Sequence, residues 1–166
     1  NEADFPQNKT FAQANLMKLF YENKDYPNSV VYAEKVLNNS KTDDNVKSDA
    51  QIIIARAAIQ TGDEAKAHSA YAKLQTIAQG ELAAEALYYE AYFKNKDAKF
   101  ETSNEIVQKL AKNYSGYKFF GAKGLILMAK NFYGLKDSFQ ATYILDSVIQ
   151  NFTDFPDVVS EAKTEL

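Results

Sequence analysis

Four pairs of residues, the members of each pair twelve positions apart, recur along this chain: Met17 with Ser29, Ala55 with Ala67, Ala91 with Ser103, and Ala129 with Ala141. All but Met17 are Ala or Ser. Four and seven residues past each second member the chain is apolar, at Ala33 and Val36, Tyr71 and Leu74, Val107 and Leu110, and Leu145 and Val148. The pattern returns every 36 to 38 residues. Self-similarity at that period marks an array of helix pairs, each unable to bury its apolar face without a neighbour. Small residues recur where two helices cross because the backbones approach most closely there, and a larger side chain pushes the pair apart.

Composition fits one helical array. The chain has 166 residues, 46% of them apolar, which is enough for a single contiguous core, so one domain over 1–166 is expected. Only 3 prolines and 6 glycines occur, too few for an all-β or low-complexity chain, and no linker divides the sequence. The 22 acidic and 19 basic residues are spread along the chain, which argues against a phosphate-binding surface and a nucleic-acid partner. Cysteine is absent, which excludes disulfides and thiolate metal sites. The most apolar stretches, Ile52 to Ile54 and Leu125 to Met128, fall far short of the roughly 18 residues a membrane span needs.

Periodicity and punctuation predict first helices over 9–23, 45–61, 81–95 and 117–134, and second helices over 26–39, 64–79, 99–113 and 138–151. The repeats run approximately 7–43, 44–80, 81–116 and 117–153. An aspartate stands between the helices of each pair, at Asp25, Asp63, Asp97 and Asp137, where its carboxylate can accept from the free N–H groups of the second helix. Pro27 suits a first helical turn and Gly62 a left-handed helix end. The chain begins Asn1-Glu2-Ala3, and Asp4-Phe5-Pro6 recurs as Asp154-Phe155-Pro156. Met17 lies eleven residues past Pro6, whereas the residue eleven past Pro156 would be one beyond the end. Val158, Val159, Ala162 and Leu166 form an apolar stripe, so 156–166 is either a capping helix or the opening of a fifth repeat. The second is the expectation, and it makes the chain a piece of a longer protein.

With its paired small residues and apolar columns, the chain resembles the tetratricopeptide repeat family along nearly its whole length. The aromatic that opens the family's second helix is matched by Tyr26 and Phe100, while Glu64 and Ser138 stand there in the other two repeats. The period exceeds the family's 34 or so residues, through longer connections around Asn38 to Asn45 and Lys112 to Tyr117. Asn113-Tyr114, Asn151-Phe152 and Pro156 further resemble long-period bacterial envelope members, among them outer-membrane assembly lipoproteins and periplasmic coordinators of the Tol system. The resemblance implies an all-α, right-handed α-solenoid of about four helix hairpins plus a C-terminal helix. It also implies that first helices line a concave groove holding a partner peptide or protein element.

One residue past each first-helix crossing position stand Lys18, Arg56, Tyr92 and Lys130, and three residues further Tyr21, Ile59, Asn95 and Tyr133. Ile52 and Tyr88 lie on the same face one turn earlier. Basic heads among aromatic and aliphatic surface suit an acidic, partly apolar peptide. The bland alternative is that these are ordinary solvent-facing helix residues. The family's two-carboxylate clamp needs asparagines among its lysines, and the cationic row carries none, which argues against a chaperone-tail receptor.

Tyr88 and Tyr92 share one helix face and Tyr89 with Phe93 another, the second pair being expected to pack. The aromatics from Tyr114 to Phe120 either staple the junction of the third and fourth repeats or form an exposed patch, and stapling is the expectation. Nothing points to an enzyme. The chain holds one histidine, His68, on a second helix; Asp43-Asp44 reads as capping, and no phosphate-cradling loop or His-Glu-x-x-His pattern occurs. No cofactor or metal is expected. Asn-x-Ser/Thr triplets at Asn8, Asn38, Asn113 and Asn151 are either glycan acceptors or chance products of an Asn-rich chain. Two functions remain: a protein-binding module with an accessible groove, or an architectural segment stacking on further repeats, exposing unmatched faces at Phe11 to Phe20 and Val158 to Leu166. The resemblance favours the periplasm or outer membrane over the cytoplasm.

Overall fold

A computed structural model describes the backbone of residues 4–166 and the side chains of residues 8–166. The expectation drawn from the side chains of Asp4, Phe5 and Pro6 lies outside the described residues. Within them the chain is all-helical: α1 Asp4–Glu22, α2 Tyr26–Leu37, α3 Asp44–Thr61, α4 Glu64–Gln75, α5 Gly80–Lys96, α6 Phe100–Asn113, α7 Lys118–Gly134, α8 Ser138–Asn151 and α9 Pro156–Glu165. None of these helices is long and apolar enough to cross a membrane.

The crossing columns sit where the spacing puts them. All eight paired positions, from Met17 and Ser29 to Ala129 and Ala141, have 0% exposure. The apolar columns beyond them, Ala33 and Val36, Tyr71 and Leu74, Val107 and Leu110, Leu145 and Val148, are buried as well. Each fully buried Leu or Val contributes about 1.5–3 kcal/mol, so these columns carry much of the stability of a chain this small. The backbones approach closely enough at one crossing for the Ser103 hydroxyl to donate to the Ala91 carbonyl at 2.8 Å.

Within each pair the turn is built the same way. The residue seven past the first crossing position adopts a left-handed backbone: Lys24 at φ 60°, Gly62 at 76°, Ala98 at 57° and Lys136 at 66°. The next residue sends its N–H back across the helix end, from Asp25 to Phe20 and Asp137 to Phe132 at 2.8 Å, and from Asp63 to Ala58 and Lys99 to Lys94 at 2.9 Å. This is the Schellman arrangement, which satisfies orphan carbonyls of the first helix. Asp25, Asp63 and Asp137 then cap the second helix, accepting from the N–H groups of Asn28, Lys66 and Gln140.

Asp97 does not cap α6, contrary to the sequence reading. It closes α5, and the cap position is Lys99, which forms no side-chain cap bond. The reason is register: the cap lies eight residues past the crossing position, which is Lys99 in the third repeat. Two second helices also end early, α2 at Leu37 and α4 at Gln75. After α2 the polar side chains capture backbone groups: Asn39 Oδ1 accepts from the Lys41 N–H at 3.1 Å and Thr42 Oγ1 donates to the Val36 carbonyl at 3.0 Å. Asp43 caps α3, accepting from the Val46 N–H at 3.0 Å.

The helices fall into two compact units, Asn1–Ala78 and Gln79–Leu166. In the first, α1 packs on α2, α2 on α3, α3 on α4, and α1 reaches α3. In the second, α5 packs on α6 and α7, α6 on α7, α7 on α8, and α9 lies against both α7 and α8. Gly124 lets α7 approach α6, since a Cβ there would sit 3.2 Å from Val107 Cγ1 and 3.3 Å from Leu110 Cδ2.

Replacing Ala91 by Leu should overpack the crossing at Ser103 and lower stability by roughly 1–3 kcal/mol in a denaturant titration followed by circular dichroism; a neutral result would remove this register. Lys99→Asn should raise stability by about 1 kcal/mol in the same titration by supplying the missing N-cap of α6.

Candidate interaction surface

In the unit Asn1–Ala78, Lys18 and Tyr21 lie on α1 and Ile52, Arg56 and Ile59 on α3, two helices that pack together. Lys18 is exposed, and Tyr21, Arg56 and Ile59 are half-buried. Ile52, at 5% exposure, is part of the core and offers a ligand almost no surface. Tyr21 meets the Tyr26 ring edge-on, with centroids 5.7 Å apart.

In the unit Gln79–Leu166, α5 carries Tyr88, Tyr92 and Asn95, and α7 carries Lys130 and Tyr133. Tyr88 is buried among Leu87, Ala91, Ile106 and Phe120, the opposite of the exposed groove position its spacing suggested. The physical reason is the arrival of Phe120 on α7, whose ring centroid is 6.2 Å away. Burial, then the neighbouring Tyr89, Glu161 and Tyr92, push the Tyr88 phenol well above its ordinary pKa, so the group stays neutral. Tyr92 and Tyr133 are half-buried. Of the pair expected to pack, Phe93 is buried and Tyr89 half-buried against the same core.

The cationic row does not present free charge at its two lysines. Lys18 Nζ lies 2.7 Å from Asp49 on α3. Lys130 Nζ lies 2.9 Å from Glu165 and 3.7 Å from Glu161, both on α9. Lys18 and Asp49 are 31 residues apart, as are Lys130 and Glu161, while the shorter contact of Lys130 is to Glu165, 35 residues away, so each lysine is met by a carboxylate of a later helix in its own unit. Lys123 also pairs with Glu161 and faces the Tyr88 ring at 6.0 Å. The exposed Lys18–Asp49 pair contributes little to stability, and the Lys123 and Lys130 pairs are half-buried, but all of them neutralise the heads an acidic ligand would seek.

Asn95 is not an open groove residue. Its Nδ2 donates to Asn131 Oδ1 at 2.8 Å, and Asn131 Nδ2 donates to Ser103 Oγ and Asn104 Oδ1, each at 2.8 Å. Asn131 has 0% exposure, so one side chain of α7 ties together α5 and α6 through a satisfied polar network in the core. Its signal in sequence, an asparagine two residues past the Ala129 crossing position, is indistinguishable from a surface asparagine. Phe100, the aromatic opening α6, lies on the end of α7: a Cβ on Gly134 would fall 2.5 Å from the ring.

Other surfaces went unread. In Asn1–Ala78, a hollow of about 260 Å³ lies between α1 and the α2–α3 connection, bordered by Phe11, Ala14, Asn39 and Val46. Two more, of about 410 Å³ and 340 Å³, flank the Lys66–Glu34 ion pair between α2 and α4. None of the three is lined by a candidate groove residue. On α8, Phe139 and Tyr143 are 79% and 68% exposed, four residues apart on one face. Of the junction aromatics, Phe120 is buried and Tyr114 packs on the same core, as stapling requires, while Tyr117 and Phe119 stay exposed. His68 is exposed on α4. No protein-family model matches the chain, and no curated protein matches it.

Asn131→Ala should cost about 3 kcal/mol in a denaturant titration, because it strands polar partners on two helices in the core; a loss below about 1 kcal/mol would mean that water replaces the amide.

Proposed function

We propose that this chain is a right-handed solenoid of tetratricopeptide-like hairpins acting as a non-catalytic protein-interaction module, with a peptide or protein segment bound along its first helices. The observation that carries this is the state of the row beside the crossing columns. The crossing positions have 0% exposure, while Tyr21, Arg56 and Ile59 in one unit and Tyr92 and Tyr133 in the other keep part of their surface open. Half-buried tyrosines are suited to recognition: they are already restrained, so binding orders little more, and each offers large contact area with a polar tip. Because Lys18 and Lys130 are paired internally, the ligand is held through aromatic contact more than through a basic stripe. Placement in a bacterial envelope belongs to the same reading and rests on the Asn-Tyr and Asn-Phe helix ends at Asn113 and Asn151.

A second reading, an architectural segment of a longer array or multiprotein envelope complex, is favoured by those same ion pairs, which spend the charged columns on neighbouring helices. Phe11 and Leu19 on α1, 70% and 52% exposed, agree with it, whereas Val158 and Ala162 on α9 are buried rather than left open.

A photoreactive phenylalanine analogue placed singly at Tyr21, Tyr92 and Tyr133, with His68 and Lys109 on second helices as controls, separates the two in cells of the source organism. Crosslinks to one protein from the tyrosine positions and none from the controls are the expected outcome. With the analogue also placed singly at Phe11 and Leu19, crosslinks confined to those two positions would favour the architectural segment.

A further inference from the structure

The contact of α9 with α7 and α8 joins an acidic helix to a basic, apolar face. Val158 and Ala162 are buried with Ala122, Ile126, Ala129, Leu145 and Val148. Glu161 and Glu165, four residues apart on the same helix, meet Lys123 and Lys130 of α7. Phe155, at the start of α9, is half-buried and lies 5.9 Å from the exposed Phe119 ring.

The hold on α9 is nevertheless slight. The helix is 10 residues long and its N-cap makes no side-chain hydrogen bond. Its two buried side chains are small, and the side chains of its ion pairs are 23–35% exposed, so water still reaches them and salt weakens them in part. A helix this short has little stability of its own, so it can open without the rest of the unit unfolding.

We infer that the α7–α8 face beneath α9 is an acceptor for an acidic amphipathic helix, filled in cis by α9 and open to exchange with a partner helix of the same chemistry. The pattern α9 supplies is apolar residues at i and i+4 (Val158, Ala162) with carboxylates at i+3 and i+7 (Glu161, Glu165). Charge complementarity selects the occupant: a basic helix would set like charges against Lys123 and Lys130, and a neutral one would leave both without carboxylates. This site concerns the edge of one unit and does not depend on the tyrosine row binding a peptide.

The test uses the full chain carrying Val158→Asp, which should undock α9 while leaving both lysines intact, and a fluorescent peptide of residues 154–166 followed by anisotropy. The peptide should bind this variant at least about tenfold more tightly than wild type, where α9 competes at high effective concentration. Adding Lys123→Glu and Lys130→Glu should weaken that binding at least about tenfold, and so should high salt. On the wild-type chain, hydrogen exchange should show α9 amides opening before those of α7 and α8. A folded Val158→Asp chain that ignores the peptide, or binding indifferent to the lysine reversals, would overturn the inference. Should Val158→Asp lose helicity, the wild-type exchange decides: earlier opening of α9 supports the site, and opening together with α7 and α8 sinks it. Concentration-dependent dimerisation of wild type, lost in Val158→Asp, would mean the occupant is the α9 of a second copy rather than a foreign helix.

Discussion

The Ser103 hydroxyl donates to the Ala91 carbonyl at 2.8 Å, a bond across a helix crossing that requires a small side chain on both sides. All eight residues of the crossing pairs have 0% exposure. Once the backbones are that near, the next apolar columns have nowhere to go but inward, and the outer faces of the helices are left to polar residues. Met17 occupies its crossing without opening it, also at 0% exposure, which suits an unbranched side chain able to thread an irregular gap.

Crossings of fixed separation demand a turn of fixed length, and that turn requires a left-handed residue. Gly62 satisfies it without strain, but Lys24, Ala98 and Lys136 adopt it as residues with a Cβ, at a cost of roughly 1–2 kcal/mol each. Three side chains held in an unfavourable region by the same pair of backbone hydrogen bonds mean that packing, not local preference, dictates the hairpin. This is also why the turn was hard to read: glycine marks it in one repeat only, and in the third repeat Asp97 imitates a cap two residues before the true position at Lys99. The columns were legible because burial imposes a residue class at a fixed period. Helix ends such as Leu37 and Gln75 were less so, since they depend on which nearby Asn, Ser or Thr captures a backbone group.

The candidate surface was legible only in outline. Spacing put Tyr88 and Tyr92 on one face, yet Tyr88 is buried by Phe120, a residue of another helix, and only the tertiary arrangement brings the two together. Asn95 looked like an open groove residue and is instead one end of the network through Asn131 to Ser103 and Asn104. A lone asparagine in sequence carries no sign of whether its partners are water or protein. Periodicity reports a residue's angle about its own helix; it does not report what lies opposite.

The lysines make the same point with a consequence for recognition. A charge recurring in one column of a repeat array has two physical explanations: it faces a ligand, or it faces the next repeat. Lys18 with Asp49, and Lys130 with Glu165 and Glu161, support the second, because each cation already faces a carboxylate of a neighbouring helix. Matched columns raise the specificity of stacking more than its strength, since exposed pairs are weak but mismatched charges repel. A helix presenting carboxylates four residues apart, as Glu161 and Glu165 do, is therefore accepted whether it belongs to this chain or to another. What distinguishes them is effective concentration, which favours the tethered helix until a competitor is abundant or the tethered one is loosened.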